Sequence, residues 1–455
     1  MTATKTALLN PQTSAKFLTG SIGRHVVVMT LTSSIGLMAM FLVDFADLYF
    51  LSLLGKTEIT AAIGYAGMIA FSSLSVSIGV AIAGTALVAQ NLGAGRQAEA
   101  KRYATSTLLV SVVIPIFTAI IILVYANEIL GFLGAKGETQ ELGALYLRTL
   151  SFGLPLLGAG LCSSFILRAI GDAKRAMYVT LTVAIVNGVL DPIFIFGFDL
   201  SVQGAAMATV CADIVSLSIG LYALKRIHNF PAPLNIRQTL GDLRAIANIA
   251  VPASITQLAT PFAIGYLTWA TSVFGDEAIA GTAIVNRLVP VAFGIVFALS
   301  GSVGPIVGQN FGAQNFSRVR ETLNKAVLLT VVYISAVSLV LFLVKDQIPL
   351  WFKAQGDAVT LIVLFCTYIS ITWIFAGMQF VAQASFNTLG KPTWSMWLNW
   401  GKATIGTIPF VIVSTKIWGF QGILIGYSIG SIVFGIIAIS AIYLYVGKLE
   451  KQAGN

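Results

Sequence analysis

The sequence predicts an all-α polytopic membrane protein, twelve transmembrane helices arranged as two pseudo-symmetric six-helix lobes. Three observations carry that expectation. Of 455 residues, 57% are hydrophobic and only 10% charged, whereas a soluble domain carries about 25% charged residues. The apolar residues gather into twelve runs, each of about 20 residues or more and so able to cross a bilayer at a rise of about 1.5 Å per residue. The chain also repeats itself: Gln90-Asn91-Leu92-Gly93-Ala94-Gly95 returns as Gln309-Asn310-Phe311-Gly312-Ala313-Gln314, an offset of 219 residues (309 − 90).

Taken in order, the runs lie near 25–52, 59–89, 102–126, 141–169, 176–198 and 204–224, then 246–273, 278–307, 323–344, 358–388, 394–415 and 421–446. The stretch Ser164 to Asp172 is echoed by Gln383 to Lys391, with Gly171 and Gly390 again 219 apart (390 − 171). Two motifs that keep one offset indicate a duplicated six-helix unit. Six crossings are an even number, so both copies enter the membrane in the same sense, related by an axis along the membrane normal. The expected boundaries are a first lobe over 1–226, a basic cytoplasmic linker over 227–244 with Pro231 and Pro233, and a second lobe over 245–455.

A net charge of +9 invites a nucleic-acid reading, but its placement argues against one. Lys5, Lys16 and Arg24 precede the first run; Arg96, Lys101 and Arg102 follow the second; Lys174 and Arg175 follow the fourth. Lys225, Arg226, Arg237 and Arg244 fall in or beside the linker, Arg318, Arg320 and Lys325 after the eighth run, Lys391 after the tenth, and Lys448 and Lys451 at the end. The alternate loops hold only Lys56, Lys136, Lys345, Lys353 and Lys416, with Arg148 early in the fourth run. By the positive-inside rule both termini are cytoplasmic. The first twenty residues lack the apolar core of a cleaved signal, so the expected address is a bacterial cytoplasmic (inner) membrane. Cys162, Cys211 and Cys366 show neither metal spacing nor a disulfide framework. Gly93 and Gly95 have no preceding strand and no following Gly-Lys-Ser/Thr, so they mark a helix–helix turn and not a phosphate loop. No enzyme motif is visible. The expected partners are amphipathic small molecules and membrane lipid, with no nucleic acid and no cofactor, and the expected state is a monomer.

The polar residues inside the runs are unequally shared. The first lobe holds Asp44, Asp47, Asn187, Asp191, Thr209 and Asp213; the second holds Thr256, Gln257, Asn286, Arg287, Gln379, Gln383, Asn387 and Lys402 but no acid. By the 219 offset, Asp191 corresponds to Phe410 and Asp47 to Tyr266. A carboxylate in mid-membrane costs roughly 2.5–3.5 kcal/mol to insert, which makes it a functional candidate. Asn187 and Asp191, four apart, share a helix face. Pro192 has no N–H, so the Gly188 carbonyl loses its helical partner and the helix is weakened beside the acid. Counted from the run ends, Asp47, Tyr146, Asp191 and Thr209 all lie roughly 7–11 Å below the outer surface, on four different helices. Such a set can enclose one cavity, in which Asp47 and Asp191 either share a proton as a coupled pair or supply hard oxygens for Na⁺, completed by Asn187 and Thr209. Asp44 either lines the same cavity one turn deeper or makes a packing bond. Asp213, Arg287 and Lys402 are expected to be structural, paired by hydrogen bonds, with a role in selectivity as the alternative for the two cations.

These residues resemble the multidrug and toxic compound extrusion (MATE) family over nearly the whole chain. The stretch Gly20-Ser21-Ile22 through Asp47 to Leu54-Gly55 is similar to that family's first-helix pattern. Leu167-Arg168-Ala169-Ile170-Gly171-Asp172-Ala173-Lys174-Arg175 looks like its helix 4–5 turn, and Asn187 with Asp191-Pro192 like its helix-5 motif. The resemblance implies two lobes around a central cleft with alternating access driven by H⁺ or Na⁺. It further implies that Asp47, Tyr146, Asn187, Asp191 and Thr209 match the first-lobe cation site of the DinF-like branch. Departures are Thr32 where that branch often has a helix-bending proline, Ser164 where an Asn is common, Asp44 in an Asn position, and no counterpart of the NorM-like second-lobe acids. The function expected is a secondary multidrug efflux antiporter exporting amphipathic, often cationic compounds. The alternatives are a flippase for a lipid-linked substrate, which would need a more basic cavity than Arg287 and Lys402 provide, and a channel or receptor.

Overall fold

The computed structural model describes residues 15–54 and 57–454; Lys5, Gly55, Lys56 and the start of the leader read above lie outside them. In chain order the spans are α1 (Ile22–Ser52), α2 (Thr57–Gly93) and α3 (Gln97–Phe132). Next comes α4, in two halves (Gly137–Ser151 and Leu154–Ala169), then α5 (Ala173–Gly197) and α6 (Ser201–Ile227). The second lobe follows as α7 (Ile236–Ser272), α8 (Asp276–Gly312), α9 (Phe316–Leu343), α10 (Asp357–Thr388), α11 in two halves (Pro392–Ala403 and Ile408–Trp418) and α12 (Gln421–Gly454). Among the described residues nine helices are long and apolar enough to cross a membrane, and the bent α4 makes a tenth. The long α7 and the broken α11 coincide with the two remaining apolar runs and complete the twelve.

Local chemistry explains the irregularities. The halves of α4 meet at 51° where Gly153 precedes Pro155, a residue suited to the first turn of a new helix. After Pro192 the last turn of α5 widens, with Phe198 N–H donating to the Ile193 carbonyl five residues back (3.0 Å). Asn235 caps α7 by accepting from the Gln238 N–H (3.2 Å), an oxygen–amide contact of the N-cap type. The helix therefore starts at Ile236, and the stretch 236–244 expected as linker is its first turns; only the segment around Pro231 and Pro233 remains non-helical. That segment is strapped to α3 by Lys101 donating to Asn229 O (2.7 Å) and Thr105 to Ala232 O (2.8 Å). Asp242 in the new first turns meets Ser106 (2.8 Å) and Arg102 (3.1 Å).

The duplication is visible in the helix starts: 57 and 276, 97 and 316, 154 and 373, 173 and 392, each pair 219 apart. The repeated sequence motifs turn out to clasp each other across the lobe boundary. At the end of α2, Gln90 donates to Thr388 O (2.5 Å) at the end of α10, and at the end of α8, Gln309 donates to Ala169 O (2.8 Å) at the end of α4. Gly93 and Gly312 make the approach feasible: a Cβ on Gly93 would sit 1.8 Å from Gln309 O, and one on Gly312 would sit 1.9 Å from Gln90 O. The same end is sealed by an apolar cluster drawn from both sides of the boundary, including Phe17, Val26, Met29, Ile306 and Phe386. This is also the end that carries the basic turns. Further along the spans the lobes stay packed: a Cβ on Gly79 of α2 would sit 2.6 Å from Ala250 O of α7, and one on Gly294 of α8 would sit 2.3 Å from Met38 Sδ of α1. Asp44 and Phe45 on α1, and Asn286 and Arg287 on α8, are exposed, with the Arg287 guanidinium 5.7 Å from the Phe45 ring across the lobe boundary.

Candidate functional site

Helices α1 and α5 pack closely together, and this brings Asp47 to Asn187 and Asp191. The Asn187 Nδ2 donates to Asp47 Oδ2 (2.9 Å) and to Asp191 Oδ2 (3.2 Å), and the two carboxyl groups lie within electrostatic range of each other. Asp191 is fully buried, Asn187 is 5% exposed and Asp47 half-buried. A single amide thus serves two acids. Their remaining oxygens, Asp47 Oδ1, Asp191 Oδ1 and Asn187 Oδ1, are buried without any partner. Two carboxylates with one shared donor leave negative charge uncompensated in a low-dielectric site; a proton between them or a hard cation on the three orphan oxygens would supply what is missing.

The other expected members stand around this core. Tyr146 of α4 packs against Leu51, Ile195, Val202 and Ala205 and lies within electrostatic range of Asp47, Asp191 and Asp44. Asp44 is one turn from Asp47, within electrostatic range of it, and exposed; among the described residues it makes no packing bond. Thr209 is half-buried and donates to Ala205 O (3.1 Å), which spends its proton and leaves its oxygen free. No bond joins Thr209 to the acids. Thr32 donates to Val28 O (2.5 Å) within an unbroken α1, and Ser164 donates to Ala176 O (3.1 Å), tying α4 to α5.

Three expectations change. Asp213, expected to be paired, is 2% exposed and has no hydrogen bond or ion pair among the described residues; it abuts the α4 break, with its Oδ2 3.1 Å from where a Gly153 Cβ would be. Arg287 and Lys402, expected to be held by hydrogen bonds, make none with their side chains among the described residues. Their contacts are with aromatic faces, Phe45 (5.7 Å) and Tyr427 (5.3 Å). Sequence depth alone cannot say which way a side chain turns, and here the rotation of α8 and α11 sends both cations toward open space. The second lobe also contains a cavity of about 200 Å³ bounded by α7, α8, α10, α11 and α12. Among its walls are Thr282, Asn286 and Lys402. Thr282 went unnoticed in the sequence, where a lone threonine in an apolar run carries no signal. Arg168, noticed only within a turn motif, is a buried cation (8% exposed) whose guanidinium lies over Phe165 (5.0 Å) and against Gly301 of the other lobe.

Two six-helix lobes of apolar spans, clasped at the basic end and carrying buried acids in one half, define a membrane transporter. The MatE family model matches the chain twice, over residues 33–193 and 252–413, and the two matches begin 219 residues apart (252 − 33). The chain belongs to the MatE family. It is 25% identical to a protein named FAD transporter from Shewanella oneidensis, over 92% of this chain and 94% of that one. It is 23% identical to a multidrug export protein, MepA, of Staphylococcus saprophyticus, over 95% and 96%. A solved structure described as the outward-facing conformation of a multidrug resistance MATE family transporter superposes with a TM-score of 0.89 at 22% identity, over 96% of this chain and 99% of that one. These relatives are named as transporters, not as enzymes.

Proposed function

We propose that the protein is a secondary antiporter that expels amphipathic, often cationic compounds in exchange for H⁺ or Na⁺ by alternating access. The coupling ion is held by Asp47, Asn187 and Asp191, with Tyr146, Thr209 and Asp44 around them. The observation that carries this reading is the shared amide: two acids from two helices converge on one donor, with three oxygens left open. With a cation or proton in place, α1 and α5 are held together at this level. Without one, the carboxylates repel, and a population shift follows because the two arrangements bind the ion with different affinity. The shift can reach the substrate, since α1 touches the second lobe at Phe41, whose ring meets Phe297 (6.3 Å, edge to face), and Phe297 is a wall of the second-lobe cavity. Asp44 lies three residues beyond Phe41 on the same helix.

By the positive-inside rule the basic end faces the cytoplasm, which makes the clasped arrangement the one closed to the inside, in a bacterial inner membrane. The names of the relatives, a multidrug export protein and an FAD transporter, support movement of organic molecules of this size as the kind of work done. The test is transport by proteoliposomes with a pH gradient or a Na⁺ gradient imposed separately, using ethidium and a fluoroquinolone. One gradient should drive saturable movement and the other should not. Flux that ignores both gradients, or rises without saturation, refutes the antiporter.

A further inference from the structure

The geometry points to the second-lobe cavity as a binding site for a planar aromatic anion, with the Lys402 ammonium and the Thr282 hydroxyl as its charged and neutral donors. The inference rests on the transporter reading above and names the substrate class of its second lobe. Lys402 stands in the last turn of the first half of α11, where a cation would ordinarily be satisfied by the helix's terminal carbonyls. Here its amine bonds to none of them. It lies 5.3 Å over the Tyr427 ring, and no acid is among the residues that bound the cavity. An ammonium at membrane depth is costly without a counter-charge, and the protein supplies none within the site.

The neutral groups point the same way. Thr282 is 5% exposed, lines the cavity and is buried with no hydrogen-bond partner for its Oγ1, although threonines in these helices commonly donate to the carbonyl four residues back. Asn286, four residues on and therefore on the same face of α8, is exposed, lines the cavity and makes no side-chain hydrogen bond among the described residues. Its backbone carbonyl also loses its helical partner, because Pro290 four residues later has no N–H. The remaining walls are mostly apolar, with Thr260, Asn399 and Thr407 among them. Trp373 is fixed by stacking on Phe293 (5.0 Å, 13°) and by edge contact with Phe297 (6.1 Å), and Phe380 packs on Phe297 (5.4 Å). A rigid aromatic wall facing a lysine suits a fused ring bearing a carboxylate or a phosphate. Ring faces supply the apolar contact, while the anion meets Lys402 in a charge-assisted bond.

The test compares four probes of one shape on the purified full-length protein: 2-naphthoate, 2-naphthyl phosphate, neutral 2-naphthamide and cationic 2-naphthylmethylammonium. Binding is read by quenching of tryptophan fluorescence. At least one anion should bind ten-fold or more tightly than the amide, and the cation more weakly than the amide. Lys402→Gln should erase the preference for the anion while leaving amide binding intact, which shows the variant is folded; Lys402→Arg should keep it. A ranking indifferent to charge, or one unchanged in Lys402→Gln, overturns the site. Asp191→Asn should leave naphthoate binding in place while gradient-driven transport is lost. Naphthoate bound through Lys402 but moved by neither gradient would fault the antiporter and spare the site. Coupled transport with a charge ranking that Lys402→Gln leaves unchanged would fault the site alone.

Discussion

Gly93→Ala should tip the protein toward the arrangement open at its basic end. In the clasped state the added Cβ would stand 1.8 Å from the Gln309 carbonyl oxygen and 2.6 Å from its carbon, where ordinary contact needs more than 3 Å. The atoms it meets are backbone, so no side chain can swing away, and α2 and α8 must separate. Overpacking of this kind costs about 1–3 kcal/mol. Separation also breaks the reciprocal bonds Gln90–Thr388 and Gln309–Ala169, each worth about 1 kcal/mol net. A total near 3 kcal/mol changes the ratio of the two arrangements more than a hundredfold. The assay is a distance distribution between spin labels at Ala98→Cys and Ser317→Cys, exposed positions related by the 219 offset, one on each lobe at the basic end. The parent should show the short distance and Gly93→Ala a longer one, with efflux much reduced. An unchanged distribution together with normal efflux would show that the glycine contact does not hold the lobes closed.

Asp191→Asn should abolish gradient-driven efflux while the protein still folds and inserts, because the amide fits the same space but cannot exchange charge; unimpaired extrusion by that variant would refute the coupling assignment. Asn187→Leu removes the one donor shared by Asp47 and Asp191 and should reduce coupled flux at least ten-fold, measured in the same vesicles. At the basic end, Asp172 gives a pH prediction: burial pushes its carboxyl up, but bonds from His228 (2.7 Å) and Arg175 (2.5 Å) and the Arg175 charge outweigh that and hold it at about 2. A depressed folded value stabilises above the ordinary carboxylate range, so roughly 2 kcal/mol present at neutral pH should fade as pH falls from about 4 toward 2. Thermal unfolding of the parent and of Asp172→Asn, which retains the helix cap, should differ at pH 7 and converge in acid; a constant gap would refute the assignment.

Much was legible in the residues themselves. Spans of membrane length follow from the expense of an unpaired backbone group in hydrocarbon, which leaves continuous apolar helices as the solution, and the twelve runs fall on the helices observed. The duplication could be read because Gln90 and Gln309, and Gly171 and Gly390, kept one spacing. The acids of the first lobe stood out because carboxylates are rare in such runs, and the four-residue spacing of Asn187 and Asp191 set them on one face. What helix spacing does not encode is rotation about the helix axis and the partner that meets each face. Tertiary packing decided that α1 delivers Asp47 to the Asn187 amide, that Asp213 faces the α4 break without a partner, and that Lys402 looks into an aromatic cavity and bonds to no carbonyl. It also decided that the repeated glutamines and glycines interlock across the lobes, a contact between residues more than two hundred positions apart that no local pattern can announce.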